Sequence, residues 1–473
     1  MSLHPQGVEP IPEETCRVAR AAFPRGNPYL RMRDEMGTLV GDAAFADLFA
    51  VRGQPGLAPW RLALVTLFQY AEDLADRQAA DAVRGRIDWK YALGLALDDP
   101  GFDYSGLSEF RTRLLSGQAE ARLFEALLDQ AREHGLLKQR GRQRTDSTHV
   151  LGAVRVLNRL DLVAEALRQI WLQQYQDVAG CLVWRDAAQL PPADRQIRSP
   201  HDPQARLAKK RTTVWTGYKV HLTEQCDPEV PHLITQVTTT PAPRPDQATT
   251  AAIDDDLAAH DHLPADHLVD AGYLDADVLV SSAQAHGVQL VGPVCPDTSW
   301  QARQAVGFAA ADFAVDWEAQ QVRCPSGKTS ASWQPTVDRY GTAVIEVKFA
   351  RGDCRDCALR PQCTRTQEQR RMLTLRPRPQ HEALRAARAR QGTRDFAPQY
   401  AARAGIEGTL SQGVRAFGLR QCRYRGEHKT RLQHLLTAAA LNFVRMAAWL
   451  IGVNPAQTRQ SAFRKLMVQS AGA

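Results

Sequence analysis

The 473-residue sequence has no uninterrupted apolar run of membrane-spanning length, no dense cysteine framework, no internal repeat and no long low-complexity tract. Each absence excludes something. The most apolar stretch, Leu432 to Ile451, carries His434, Asn442 and Arg445. Such groups are costly at bilayer depth, so the stretch reads as a buried core helix and no membrane partner is expected. Nine cysteines without regular spacing argue against a secreted disulfide scaffold. Met1 to Pro12 lacks the basic-then-apolar pattern of a secretion signal, so a cytoplasmic location is expected. Acidic charge is in deficit: 59 Lys+Arg against 52 Asp+Glu gives a net charge of +7. That mild balance favours an acidic partner, of which nucleic acid is the commonest, without establishing one.

What is present is ordinary for a globular chain: 44% apolar and 23% charged residues, in a length that suits two to four domains. From Leu57 to about Leu137, apolar residues recur at helical spacing (Leu64, Leu67, Phe68; Phe124, Leu127, Leu128), with Arg84, Arg86, Lys90, Arg111 and Arg113 read as the polar side. Within it, Phe102 to Leu114 suits either a helix-turn-helix reader or a plain helical bundle. At Arg140 the texture changes. Arg144 to Val150 reads as a strand leaving a basic loop, and Leu157 to Gln176 as a helical stretch. Pro-punctuated residues 190–204 follow as a linker. Thr212 to Leu222 and Leu233 to Thr240 read as a strand pair, Asp246 to His260 as a helix and His267 to Tyr273 as a short buried strand with a polar turn. Asp275 to His286 and Val288 to Gly292 read as a further helix and strand. This order predicts a mixed α/β sheet. Residues 295–390 read as irregular short strands, with helix resuming near Asp395.

Three acidic positions stand out. Asp146 lies on a strand after basic residues, though a lone Asp at a strand end is usually only a turn or cap residue. Asp270 ends a buried strand, where α/β sheets tend to place their ligands, with Gly272 close by. Tyr400, Arg403 and Glu407 fall on one face of a helix, presenting a phenol, a guanidinium and a carboxylate together. Arg suits a bidentate grip on phosphate and a carboxylate suits a hard divalent ion. The rival is a surface ion pair between Arg403 and Glu407, whose Arg-before-Glu order is the weaker helical orientation.

Thr145-Asp146-Ser147, Val269-Asp-Ala-Gly-Tyr273 and Tyr400-x-x-Arg403-x-x-x-Glu407 resemble, in order, the catalytic motifs of bacterial insertion-sequence transposases of the DDE type, in the subgroup with a Tyr-Arg-Glu-Lys signature. The segments around Phe110-Arg111 and Gly217-Tyr-Lys-Val-His221 are similar to that family too, so the likeness runs from about Leu57 to Ala447. It departs at the signature Lys, which falls on Val414, with Arg415 adjacent. The resemblance implies an RNase H-like mixed-sheet catalytic domain over 139–294 and 395–452. It also implies an N-terminal all-helical, DNA-end-binding domain over 1–138, an inserted Cys-bearing β region over 295–394 and a tail over 453–473. Asp146, Asp270 and Glu407 would hold two Mg²⁺ or Mn²⁺ ions about 4 Å apart for in-line attack on a phosphodiester. Tyr400, Arg403, Arg415, Arg423, Arg425, Arg111 and Arg113 would contact double-stranded DNA, the element's ends and its target, and the chain would act as a homodimer or higher assembly on it. A decayed copy that binds DNA without cutting it is the rival reading. A two-carboxylate glycosidase explains neither the arginines nor the helices.

A second cluster, Cys324, Cys354, Cys357 and Cys363, contains one C-x-x-C pair and could close a structural zinc site. An iron–sulfur cluster or four reduced thiols remain alternatives. The segment also resembles the Cys-bearing insertion of some family members. His149 and His221 could line the active site, although a lone His is more often a satisfied polar group. Trp215 reads as core, and Lys209-Lys-Arg211 as a solvated loop. Arg420 joins the arginine cluster beside the last motif.

Overall fold

The computed structural model describes residues 2–453 except 4, 6, 7, 9, 154–174, 187, 188, 193, 194, 196–201, 305, 306 and 367–369. Most of the expected helical stretch at Leu157 to Gln176, and the tail past 453, lie outside the described residues.

The chain opens on seven helices: α1 (Glu13–Ala22), α2 (Pro28–Met36), α3 (Pro59–Ala71), α4 (Asp76–Gly85), α5 (Ile87–Leu93), α6 (Ser105–Ser116) and α7 (Arg122–Glu133). Local chemistry sets their ends. Asn27 accepts a hydrogen bond from the Tyr29 N–H with Pro28 at the first helical position, and Gly94 closes α5 in the left-handed conformation at φ 62°. Helix α3 buries every residue from Leu62 to Tyr70 and is therefore central. The basic residues of this region do not all form a solvated side. Lys90 is buried and donates to the carbonyls of Ala96 and Asp99, and Arg111 is only 6% exposed.

Strands follow: β1 (Arg142–Leu151), the hairpin β2 (Tyr175–Val178) and β3 (Cys181–Trp184), then β4 (Arg206–Lys210), β5 (Thr213–Gln225) and β6 (Ile234–Pro241). Helix α8 (Gln247–Ala259) leads to β7 (Asp266–Leu268). Strand β1 is central, antiparallel to β5 (Asp146 opposite Leu222) and parallel to β7 (Arg144 opposite Leu268). Strand β5 also pairs antiparallel with β4 and β6. The mixed sheet expected from the sequence is present.

Next come α9 (Ala276–His286), β8 (Gln289–Val291), α10 (Trp300–Gln304), β9 (Ala314–Asp316), β10 (Gln321–Arg323), β11 (Ser332–Val337) and β12 (Ala343–Lys348). They are followed by α11 (Arg351–Arg355), α12 (Arg360–Cys363), β13 (Met372–Leu375), α13 (Arg378–Gln391) and α14 (Phe396–Ala401). A 3-10 turn, Ala402–Ala404, precedes α15 (Gly405–Ala416), and α16 (Glu427–Leu450) ends the described fold. Helix thus resumes at Arg378, earlier than expected. Ala387 is the only buried residue of α13, so that helix lacks the apolar stripe by which periodicity is recognised.

The chain divides into two compact units, Met1–Leu268 with Ala402–Ala473, and Val269–Ala401. In the first, one core joins Tyr29, Trp60, Phe68, Trp89, Phe110 and Leu127 of the helices to Val150, Val220, Leu222, Ile234 and Val237 of the sheet, and to Ile406, Leu436 and Phe443 of the last two helices. The N-terminal helices therefore share their core with the sheet and the last two helices. Helix α16 joins the layers, buried from Leu432 to Phe443. Asn442 exchanges two 2.8 Å hydrogen bonds with the Ile234 backbone, and His434 lies 2.7 Å from the Thr239 hydroxyl through Nδ1, while His434 Nε2 and Thr437 Oγ1 are buried without a partner among the described residues. Among the described residues no helix is long and apolar enough to cross a membrane. The second unit has its own small core, Phe313, Val322, Ile345, Val347, Phe349, Leu373 and Leu375, under the antiparallel sheet β11–β12–β13.

Candidate active site on the central strand

Alternation along β1 sends Arg144, Asp146, Thr148 and Val150 to one face and Thr145, Ser147 and His149 to the other. Val150, with Val220 and Leu222 from β5, belongs to the large core, so Asp146 sits at the margin of an apolar face. There α15 and the preceding 3-10 turn dock. Arg403 donates from Nη2 to Asp146 Oδ2 at 2.6 Å, and its Nη1 lies 3.5 Å from Glu407 Oε1. Asp146 and Arg403 are nearly buried, with side chains 13% and 14% exposed, whereas Glu407 is 69% exposed. Two of the three expected carboxylates thus meet on one guanidinium. The Arg403–Glu407 pair, the rival sequence reading, does form, but as one arm of a bridge that also holds Asp146.

Tyr400 does not share an uninterrupted helix with them. The 3-10 turn Ala402–Ala404 breaks the 3.6-residue period, and Tyr400 lies in the other compact unit with its ring stacked on Phe396, centroids 5.5 Å apart. Asp270 is also in that unit. It caps a 3-10 turn, accepting the Gly272 N–H at 2.8 Å, just after Val269 donates its N–H to the Val291 carbonyl.

Beneath the acid–arginine bridge lies a buried charge cluster that the sequence reading missed. Glu224, fully buried on β5 opposite Arg144, accepts from Arg144 Nε at 2.7 Å and from Arg445 Nη1 at 2.8 Å, and from the Thr409 hydroxyl at 2.6 Å. Burial alone would push the Glu224 carboxyl up. Arg445, Arg144 and the Thr409 bond outweigh it and hold the group below its ordinary range, so it is ionised. Arg144 also donates to the Ala402 carbonyl at 2.5 Å. A signal existed: Glu224 continues the inward alternation of Val220 and Leu222, and Arg445 interrupts an apolar helix.

The histidines lie elsewhere. His221 pairs in register with Ser147, on the face away from Asp146. It is fully buried 3.1 Å from the Thr240 hydroxyl, and burial lowers it to about 3. His149 packs near Trp215, itself buried. On the Asp146 face, Arg420 donates to the Thr148 hydroxyl at 2.8 Å.

Several arginines expected on DNA have structural tasks. Arg111 is buried against Asp76 at 2.6 Å, which removes it from any phosphate contact. Arg423 is paired with Asp73 and lies over the Tyr70 ring. Arg113 reaches the Leu48 carbonyl and covers Phe49. Arg415 and Arg425 are exposed. Val414 packs against the large core, so the signature Lys position faces inward here while Arg415 faces water.

Cys324, Cys354, Cys357 and Cys363 all line one cavity of about 30 Å³ with Ser326. Burial raises the Cys363 thiol. As they stand, no three His, Cys, Asp or Glu side chains among the described residues form a metal-holding group.

Two family models match the chain. Residues 17–113 match a transposase domain of the DUF772 type, and residues 323–447 match a transposase DDE domain, a span that includes Arg403 and Glu407 but neither Asp146 nor Asp270. None of the curated proteins compared matches the chain. Two transposase-domain matches in one chain, the second spanning Arg403 and Glu407, support a transposase. Both matches support an insertion-sequence transposase of the DDE type.

Proposed function

We propose that this transposase cuts and joins double-stranded DNA by divalent-metal-dependent phosphoryl transfer on an RNase H-like domain. Asp146, Asp270 and Glu407 are its metal-holding carboxylates. The observation that carries the reading is the convergence of Asp146 and Glu407 on the single cation Arg403. Asp270 is included on its motif. A β1 strand antiparallel to β5 and parallel to β7 supports the fold assignment.

The donor set fits a hard ion, since carboxylate oxygens suit Mg²⁺ or Mn²⁺ far better than zinc. When bound, such an ion supplies Lewis-acid polarisation of the scissile phosphate. The protein groups do the rest. Asp146 and Glu407 concentrate negative charge beside β1. Arg403 is held ready to grip a phosphate oxygen once DNA competes for it. The oxygen of water, or of a DNA 3′-hydroxyl, forms a new bond to phosphorus as the opposite P–O bond breaks. The attacking oxygen loses its proton and the departing oxygen gains one. Exposed Arg415 and Arg425 contact the DNA backbone, with Arg415 in place of the signature Lys.

The soft donors Cys324, Cys354, Cys357 and Cys363, gathered on one small cavity, are proposed as a structural zinc site that closes by thiol rotation and deprotonation.

The test is metal-dependent nicking of DNA carrying the element's ends. Asp270→Asn is expected to abolish cleavage while leaving DNA binding intact. Cleavage at the wild-type rate in that variant removes Asp270 from the site. A wild-type chain that binds these ends but never nicks them, with either metal, favours the decayed DNA-binding reading.

A further inference from the structure

We infer that Arg144, Glu224, Arg445 and Thr409 form a buried positioning frame that fixes the spacing of Asp146 and Glu407, and so tunes the affinity of the site for divalent metal. The inference rests on the carboxylate assignment above.

The connectivity carries it. Arg144 precedes Asp146 by two residues on the same face of β1, so the two side chains move with one stretch of backbone. From there Arg144 reaches Glu224 on β5 at 2.6 Å and the Ala402 carbonyl at 2.5 Å, the first residue of the turn that presents Arg403. Thr409 follows Glu407 by two residues on α15. Its hydroxyl donates to Glu224 at 2.6 Å and lies 2.7 Å from Arg445 Nη2. Arg445, from α16, closes the ring on Glu224 and also donates to the His232 carbonyl at 2.5 Å. The segments bearing Asp146, Arg403 and Glu407 are therefore all tied to one carboxylate that has no exposure.

Gly405 shows how tight the frame is. A Cβ built there would fall on the Arg144 guanidinium, so the helix can approach only because that residue has none. Ion pairs are a poor means of stabilising a protein interior, because desolvation offsets most of the attraction. What they supply is direction. Each bond in this ring has a short length and a fixed angle, which an apolar packing of equal volume would not impose. Exposed Glu407 has no other described anchor of this kind: its helix is held from its buried side, where Thr409 lies.

Two variants of the full chain test this. Thr409→Val removes the hydroxyl at nearly constant volume, and Arg144→Lys keeps the charge but loses the fork. Binding of Mn²⁺ is read directly by the loss of free-ion paramagnetic resonance signal, and nicking of end-bearing DNA is titrated against Mn²⁺. Thr409→Val is expected to raise the midpoint for Mn²⁺ at least threefold in both assays, with a melting temperature within a few degrees of wild type and restoration by Thr409→Ser. An unchanged midpoint in Thr409→Val and Arg144→Lys overturns the frame, as does a raised midpoint that Thr409→Ser fails to restore. If Asp146→Asn binds Mn²⁺ and nicks like wild type, the carboxylate assignment itself fails. A loss confined to Asp146→Asn, with normal frame variants, sinks only the frame.

Discussion

Gly405→Ala should destabilise this protein, against what helix propensity alone demands. Gly405 opens α15, and alanine in a helix is favoured over glycine by about 1 kcal/mol. The added methyl, however, meets the guanidinium of Arg144, which is 6% exposed and committed to Glu224 and the Ala402 carbonyl. Displacing it leaves Glu224 buried with one arginine instead of two. Removing a partner from a buried pair costs roughly 3–5 kcal/mol. The net loss is then roughly 2–4 kcal/mol, a fall in melting temperature of roughly 3–6 °C for a unit of this size. Calorimetry without metal or DNA reads it. Gly408→Ala is the control, since Gly408 lies in the same helix and a Cβ there meets nothing within 4 Å. That variant should gain about 1 kcal/mol. If Gly405→Ala melts as high as Gly408→Ala, Arg144 can leave its place freely and the reasoning from a rigid buried frame is wrong.

Acidification gives a second test. His221 and His434 are buried and lowered to about 3 by burial, while an unfolded histidine titrates near 6.5. Their folded values are depressed, so the unfolded chain binds the protons first. Their contribution is intact above about pH 6.5 and is lost as pH falls below it, by about 1.4 kcal/mol per pH unit for each. A melting temperature that does not fall between pH 7 and pH 5.5 contradicts this. For the cysteine cavity, metal analysis of chain purified without chelator should give about one zinc per chain, dropping in Cys354→Ser. Less than a few tenths of an equivalent in the wild type sinks the zinc proposal.

Much of the architecture was legible because β1, β5, β6, α8 and α9 carry strong periodicity and clear boundary residues, and each appears within a few residues of its expected place. The buried reading of the segment after Leu432 rested on His434, Asn442 and Arg445, and all three have partners inside the fold. Their significance was read too narrowly: Arg445 spoke against a membrane but also marked a buried anion waiting for it. The missed pieces are those that depend on distant sequence. Nothing near Arg111 announces that Asp76 will bury it, and nothing in Ala402 to Ala404 announces a 3-10 turn that separates Tyr400 from Arg403. Asp146 gained most. Its local sequence barely distinguished it, yet the Arg403 guanidinium lies on it.

The first unit draws its core from both ends of the chain, and this imposes an order on synthesis. Ile234 waits for Asn442, 208 residues later, to satisfy its buried backbone. At ribosomal speeds of roughly 5–20 residues per second, that wait is about 10–40 s. Until then the apolar face of the sheet and the inner faces of the N-terminal helices have no α16 between them. The helix carrying Glu407 emerges in the same stretch, so a nascent copy has neither a sealed interior nor the Arg403–Glu407 contact. On the proposed function, the cutting centre is thereby kept from assembling until that stretch has been made.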